Sequence, residues 1–131
     1  MDESQQELLF KLSMFEQQIQ NLQQQLRAVE EGMIDISALK VGLDEIKDAV
    51  GKEIMAPLGR GIFVKAKIDS DELLVDIGGR NLVKKSVPET KEIIEDQLKK
   101  LEEIRKQLNV KLEETDKELT KAITEAQEMG Q

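Results

Sequence analysis

Apolar residues recur in alternating strides of four and three at both ends of this chain and lapse in its middle. The first seam runs through Leu8, Leu12, Phe15, Ile19, Leu22, Leu26, Val29, Met33 and Ile36. A second starts at Ile94 and passes through Leu98, Leu101, Leu108, Leu112, Leu119, Ala122, Ala126 and Met129, broken only by Arg105 and Thr115. A repeat averaging 3.5 residues collects these side chains into one stripe on a helix, which is buried against a second helix as a coiled coil. Two stripes of similar length around a short centre predict an α+β chain, mainly α: a long antiparallel two-helix coiled coil with a small body at its base.

A rod of this kind has little interior, and the composition agrees. Of 131 residues, 35% are charged and only 2% aromatic, too lean for a large compact core. The net charge of -8 and the lack of any Lys/Arg cluster argue against nucleic acid and anionic membranes as partners. With no cysteine there is neither a disulfide framework nor thiolate chemistry. Met1-Asp2-Glu3-Ser4 lacks the blocks of a signal peptide, and no apolar run is long enough to span a bilayer, so the expected location is the cytoplasm. The absence of Cys, His, Trp and Tyr beside abundant Glu, Lys and Ile leans toward a thermophilic source.

The whole of 1–131 reads as one domain in three parts. A first helix, 4–50, opens on Ser4 and Glu7, spaced as in a capping box. Its stride shortens once, from Ile36 to Leu39 and then Leu43, Ile46 and Val50, as after a three-residue insertion. Gly32 and Gly42 flank that point, marking a local bend or a hinge.

In the second part, 53–87, the period changes to two. Ile62, Val64, Ala66 and Ile68 alternate with Phe63, Lys65 and Lys67 as in a half-buried strand. The polar loop Asp69-Ser70-Asp71-Glu72 leads to Leu73, Val75 and Ile77, expected as the other arm of a hairpin. Pro57 and Gly59 punctuate a short strand before it, and Gly78-Gly79 turns the chain into a last strand around Leu82 to Val87. Four short strands in two hairpins are marginal in water, and their open edges invite pairing with another chain. They are expected to be assembly surfaces.

The third part, 88–129, is a helix opened by Ser86-Val87-Pro88-Glu89, a second capping-box spacing with proline in the first turn. Glu95 with Lys99, Glu102 with Lys106 and Glu113 with Lys117 stand four apart and read as a solvated face. If Val50 and Pro88 both lie at the body, facing residue numbers sum to about 138 and each rod extends roughly 60 to 70 Å. Leu8 is then expected near Met129 and Phe15 near Ile123.

At the far end the apolar pattern exceeds what the seam needs. Leu9, Phe10, Met14 and Ile123 fall off the stripe, whereas the off-seam residues from Glu16 to Gln25 are all polar. Surplus apolar surface with adaptable Met and Phe suits the holding of non-native chains; equally, these residues could wrap the tip or pack on a neighbouring rod. Ile104 and Val110 are also off-seam, far from that end. Catalytic motifs are missing. There is no His or Cys, and Gly59-Arg60-Gly61 does not make a phosphate loop with Lys65. Neither an enzyme, a cofactor nor a metal is expected.

The order helix, two hairpins, helix resembles the alpha subunits of the prefoldin family, in particular the archaeal type. The more specific part is the run Ala56-Pro57-Leu58-Gly59-Arg60-Gly61-Ile62-Phe63-Val64-Lys65-Ala66, followed by Leu74-Val75-Asp76-Ile77-Gly78 and Leu82-Val83-Lys84-Lys85. The resemblance implies an ATP-independent holding chaperone in which two alpha and four beta subunits pair their hairpins into a double β-barrel body. Six coiled coils hang from it, and their tips pass unfolded polypeptide to a group II chaperonin in the cytosol. Residues implied for client binding are Leu8, Leu9, Phe10, Leu12, Met14, Phe15, Ile123 and Met129; those implied for assembly are Ile62, Val64, Leu73, Val75 and Val83. A coiled-coil scaffold or filament subunit without client binding is the alternative that uses the same rods and strands.

Overall fold

In a computed structural model, which describes residues 2–129 apart from the side chain of Met129, the chain forms helix α1 (Glu3–Lys47), strands β1 (Glu53–Gly59), β2 (Ile62–Lys67), β3 (Leu73–Asp76) and β4 (Leu82–Lys85), and helix α2 (Val87–Met129). It divides into two units, Met1–Met33 with Lys100–Gln131, and Ile34–Lys99. Among the described residues no helix is long and apolar enough to cross a membrane.

In the first unit α1 and α2 pack antiparallel. Phe15 lines a groove with Ala122, one residue from the expected Ile123, and Leu101 Cδ1 lies 3.5 Å from where a Cβ on Gly32 would stand. Leu8, Leu108 and Ala122 are buried, and Leu12, Ile19, Leu22, Leu26 and Val29 are half-buried, as the heptads require. Thr115 occupies its seam position buried, because its hydroxyl donates to the Lys111 carbonyl at 2.8 Å and leaves no polar atom unpaired.

In the second unit the seam departs from expectation. The shortened stride through Leu39 does not occur: Leu39 is exposed, and Lys40 takes the half-buried place, so that Met33, Ile36, Lys40 and Leu43 continue the regular heptad. The aliphatic stem of Lys40 covers the seam while its ammonium reaches Glu95 on α2 at 3.4 Å. Asp44 pairs with Lys91 one turn on. Glu95 is thereby drawn away from Lys99, Glu102 meets Arg105, and of the three expected intrahelical pairs only Glu113–Lys117, at 3.6 Å, is made.

Helix ends follow hydrogen bonding. α1 is capped by Asp2 and Gln5, whose side chains bond each other's backbone N–H at 2.8 and 3.4 Å, two residues before the expected Ser4–Glu7 box. Asp caps as well as Ser, so the earlier site lengthens the helix at no loss. The helix ends at Lys47, not Val50, because Asp48 and Ala49 donate to Glu45 and Ile46 in tightened three-residue turns and Gly51 then reverses the chain. At α2 the expected box is present: Ser86 Oγ accepts from Glu89 N at 3.2 Å, and Glu89 Oε1 accepts from Ser86 N at 3.1 Å.

The hydrogen bond from the Ser86 backbone N–H, aided by the Ser86 hydroxyl, holds the Glu89 carboxyl below the usual glutamate range, and the hydrogen bond from Lys91 holds Asp44 below the usual aspartate range. Because folding lowers both values, the stability they add is complete above the unfolded carboxylate range and disappears as the pH falls through the folded values. The melting temperature, read by circular dichroism, is expected to be lower at pH 3 than at pH 7. Ser86→Ala should cost about 1 kcal/mol at pH 7 and shrink that pH difference.

The strands form two separate antiparallel sheets, β1 with β2 and β3 with β4. The expected pairing of the Ile62–Ile68 strand with the Leu73 strand is corrected: Asp69–Glu72 links two hairpins and does not close one. Shorter connections win. Arg60 and Gly61 have φ of 51° and 79°, the two positive values that a two-residue primed turn requires. In the second hairpin Gly79 and Arg80, at 59° and 64°, do the same, with Asn81 N donating to Gly78 O at 3.1 Å. Pro57 sits opposite Phe63, tolerated because both strands of this sheet are edges.

Candidate functional site

Two of the surfaces that carry uncovered apolar side chains hold the residues expected for client binding and for assembly. The first lies in the unit built from Met1–Met33 and Lys100–Gln131, where α1 begins and α2 ends. Leu8 faces the partner helix there and is buried, so it belongs to the seam; Leu12 and Phe15 are half-buried on the same stripe. Leu9, Phe10 and Met14 point outward, and Phe10 is 68% exposed. Phe10 and Met14, four apart, are neighbours on one helix face. Ile123 is exposed on α2 beside the buried Ala122. The expected client set thus divides by geometry: Leu9, Phe10, Met14 and Ile123 are available at the surface, Leu8 is not, and Leu12 and Phe15 are partly so. The side chain of Met129, and with it the expected Leu8–Met129 contact, lies outside the described residues.

The groove beside Phe15 is walled by Lys11, Lys121, Glu118 and Glu125. Charges of both signs thus flank Phe15 and Ala122, and Leu9, Phe10, Met14 and Ile123 lie outside this groove. Exposed apolar side chains are recognised by burial, without a fixed hydrogen-bond pattern.

The second surface is the strand region. In the first hairpin the register sets Ile54 opposite Ala66 and Ala56 opposite Val64. Alternation therefore gathers Ile54, Ala56, Ile62, Val64 and Ala66 on one apolar face, on which Ile54, Ile62 and Val64 are exposed. Ile62 and Val64, two of the residues expected for assembly, are thus uncovered within the chain. In the second hairpin Leu73, Val75 and Val83 are half-buried, and Leu73 packs on the chain's own cluster of Leu43, Val87 and Ile94. The exposed apolar residues of that hairpin are Leu74, at 64%, and Leu82, on the opposite side, together with Ile77 just beyond β3. Leu73 thus gives part of its side chain to the chain's own packing and leaves the rest uncovered. Leu73-Leu74-Val75 is apolar on both faces, so alternation alone does not say which face turns inward.

Comparison with known proteins places these surfaces in a family. Residues 15–131 match the family model described as Prefoldin subunit. The chain is 34% identical to "Prefoldin subunit alpha" of Methanobrevibacter smithii over 74% of its own length and 67% of that protein. It is 33% identical to "Prefoldin subunit alpha 1" of Thermococcus kodakarensis over 71% of its length and 65% of the relative, and 25% identical to the alpha subunit of Methanosphaera stadtmanae over 68% and 64%. The chain thus spans about two thirds or less of the length of these curated relatives. In fold it is similar to a chain of the cryo-EM structure of filamentous PFD from Methanocaldococcus jannaschii, with a TM-score of 0.77 over 88% of this chain and 97% of that one, at 22% identity.

Proposed function

Since this chain belongs to the prefoldin family, we propose that it is the alpha-type subunit of an ATP-independent holding chaperone that captures unfolded polypeptides and delivers them to a group II chaperonin in the cytoplasm. Its partners are beta subunits, in a hexamer of two alpha and four beta chains joined through their hairpins into a β-barrel body. The observation that carries the reading is the set Leu9, Phe10, Met14 and Ile123, uncovered at the end of the first unit while the next off-seam residues of α1 are polar. Non-native chains share exposed apolar side chains and little else. A partner for all of them must bind by burial and adapt its shape, which Met and Phe do.

The test is suppression of aggregation of an unrelated denatured protein by the assembled protein without ATP. Phe10→Ser with Met14→Ser is expected to weaken capture at least about tenfold, because fully burying each such side chain is worth about 1.5–3 kcal/mol and 1.4 kcal/mol is tenfold. Assembly size, read by sedimentation, should not change. Undiminished suppression by a Leu9, Phe10, Met14 and Ile123 quadruple serine variant would favour a scaffold without client binding.

A further inference from the structure

Ile34, Ala38 and Val41 stand on the outward side of α1. From Ile34 to the buried Leu43 the helix makes about two and a half turns at 3.6 residues each, so Ile34 points away from the elements that cover Leu43. Val41 follows Ile34 by one heptad, and Ala38 lies between them on the same side. Ile34 is 67% and Val41 60% exposed. Elsewhere in α1 the same heptad position is held by Gln6, Ser13, Gln20 and Arg27, the polar residues that an outer coiled-coil position ordinarily carries. The apolar stretch is thus confined to one heptad. Its rim is acidic: Glu45 lies one turn beyond Val41, and Asp48 follows at the end of the helix. The nearby Lys40 is turned toward Glu95.

A surface of complementary character exists on the same chain. The first hairpin's second face carries Met55 and Phe63, both exposed, with Met55 paired to Lys65, Pro57 to Phe63 and Glu53 to Lys67. It is an apolar patch flanked by Lys65 and Lys67, the latter opposite Glu53, and it is the face turned away from Ile62 and Val64. We propose that this Met55–Phe63 face of one copy docks on the Ile34–Val41 stripe of a second copy, with Lys65 and Lys67 set against Glu45 and Asp48. Made reciprocally between two copies, the contact closes a two-fold pair; made head to tail, it closes a larger ring or extends. It does not depend on client capture.

The chain has no cysteine, so Val41→Cys and Phe63→Cys proteins each carry a single thiol. Mild oxidation of their equimolar mixture is expected to give a disulfide-linked dimer joined through positions 41 and 63, identified by mass spectrometry, well above the yield from either protein alone. Adding Lys65→Glu and Lys67→Glu to the Phe63→Cys protein should lower the yield about tenfold through like-charge repulsion. Adding Glu45→Lys and Asp48→Lys to the Val41→Cys protein should restore it. The proposal is overturned if the mixture gives no such dimer while both proteins keep their native circular dichroism, or if the Val41→Cys protein alone cross-links as well as the mixture does.

Discussion

The Ile62→Asp, Val64→Asp double variant is expected to lose the assembly that the unaltered protein forms and to sediment as a much smaller species at the same concentration. Both side chains lie on the apolar face of the first hairpin, exposed within the chain. Their replacement removes little intrachain packing, and the helix content read by circular dichroism should stay the same. Assembly is a different matter. Burying Ile or Val contributes about 1.5–3 kcal/mol each, and burying an unpaired carboxylate costs several kcal/mol. The assembled state should weaken by more than about 4 kcal/mol, which is at least about a thousandfold in dissociation constant. Sedimentation velocity across a dilution series measures this. Survival of the parent assembly would mean that subunits join chiefly through another surface, the Met55–Phe63 face and the Ile34–Val41 stripe being the next to test.

Leu43→Ala should have the largest effect on the chain itself. Leu43 is 4% exposed and sits against Val87 and Ile94, with Ile36 and Leu73 packed on the same cluster. These five side chains tie the end of α1, the start of α2 and the second hairpin together. Truncating a buried Leu costs about 2–5 kcal/mol, rising with the cavity left behind. A cluster this small can partly collapse, which points to the lower half of that range. Leu39→Ala, four residues away and exposed, should stay within about 0.5 kcal/mol. Thermal unfolding gives both values, and faster amide exchange in β3 of the Leu43→Ala protein would trace the loss to the hold on Leu73. Equal effects at the two positions would restore the shortened stride that periodicity alone had favoured.

That pair of residues shows what the sequence could and could not convey. Heptads make the helices legible because a 3.5-residue repeat has no other structural use, and the outward position of Leu9, Phe10 and Met14 follows from the same count. Lys40 is invisible to such counting, since a charged residue reads as polar while its methylene stem packs as an aliphatic one. Asp2 with Gln5 and Ser4 with Glu7 are both acceptable boxes, and only the hydrogen bonds choose between them. Strand pairing is hidden from periodicity for a related reason. Alternation reveals that a segment is a strand without revealing its neighbour, and the decisive cue was Arg60 in a positive-φ turn, a role more often filled by Asn or Asp. Ile34 and Val41 were legible as apolar residues at a polar heptad position, but proximity to the seam residues Met33 and Ile36 masked them.

No described side chain lies below 2% exposure, so even the best-packed residues touch the solvent boundary. A chain with so thin a dry interior draws a large part of its thermodynamic resilience from association, and mass action then governs its heat tolerance. Its unfolding midpoint should climb with each dilution step reversed, and two laboratories working at different concentrations would disagree about it while both being right.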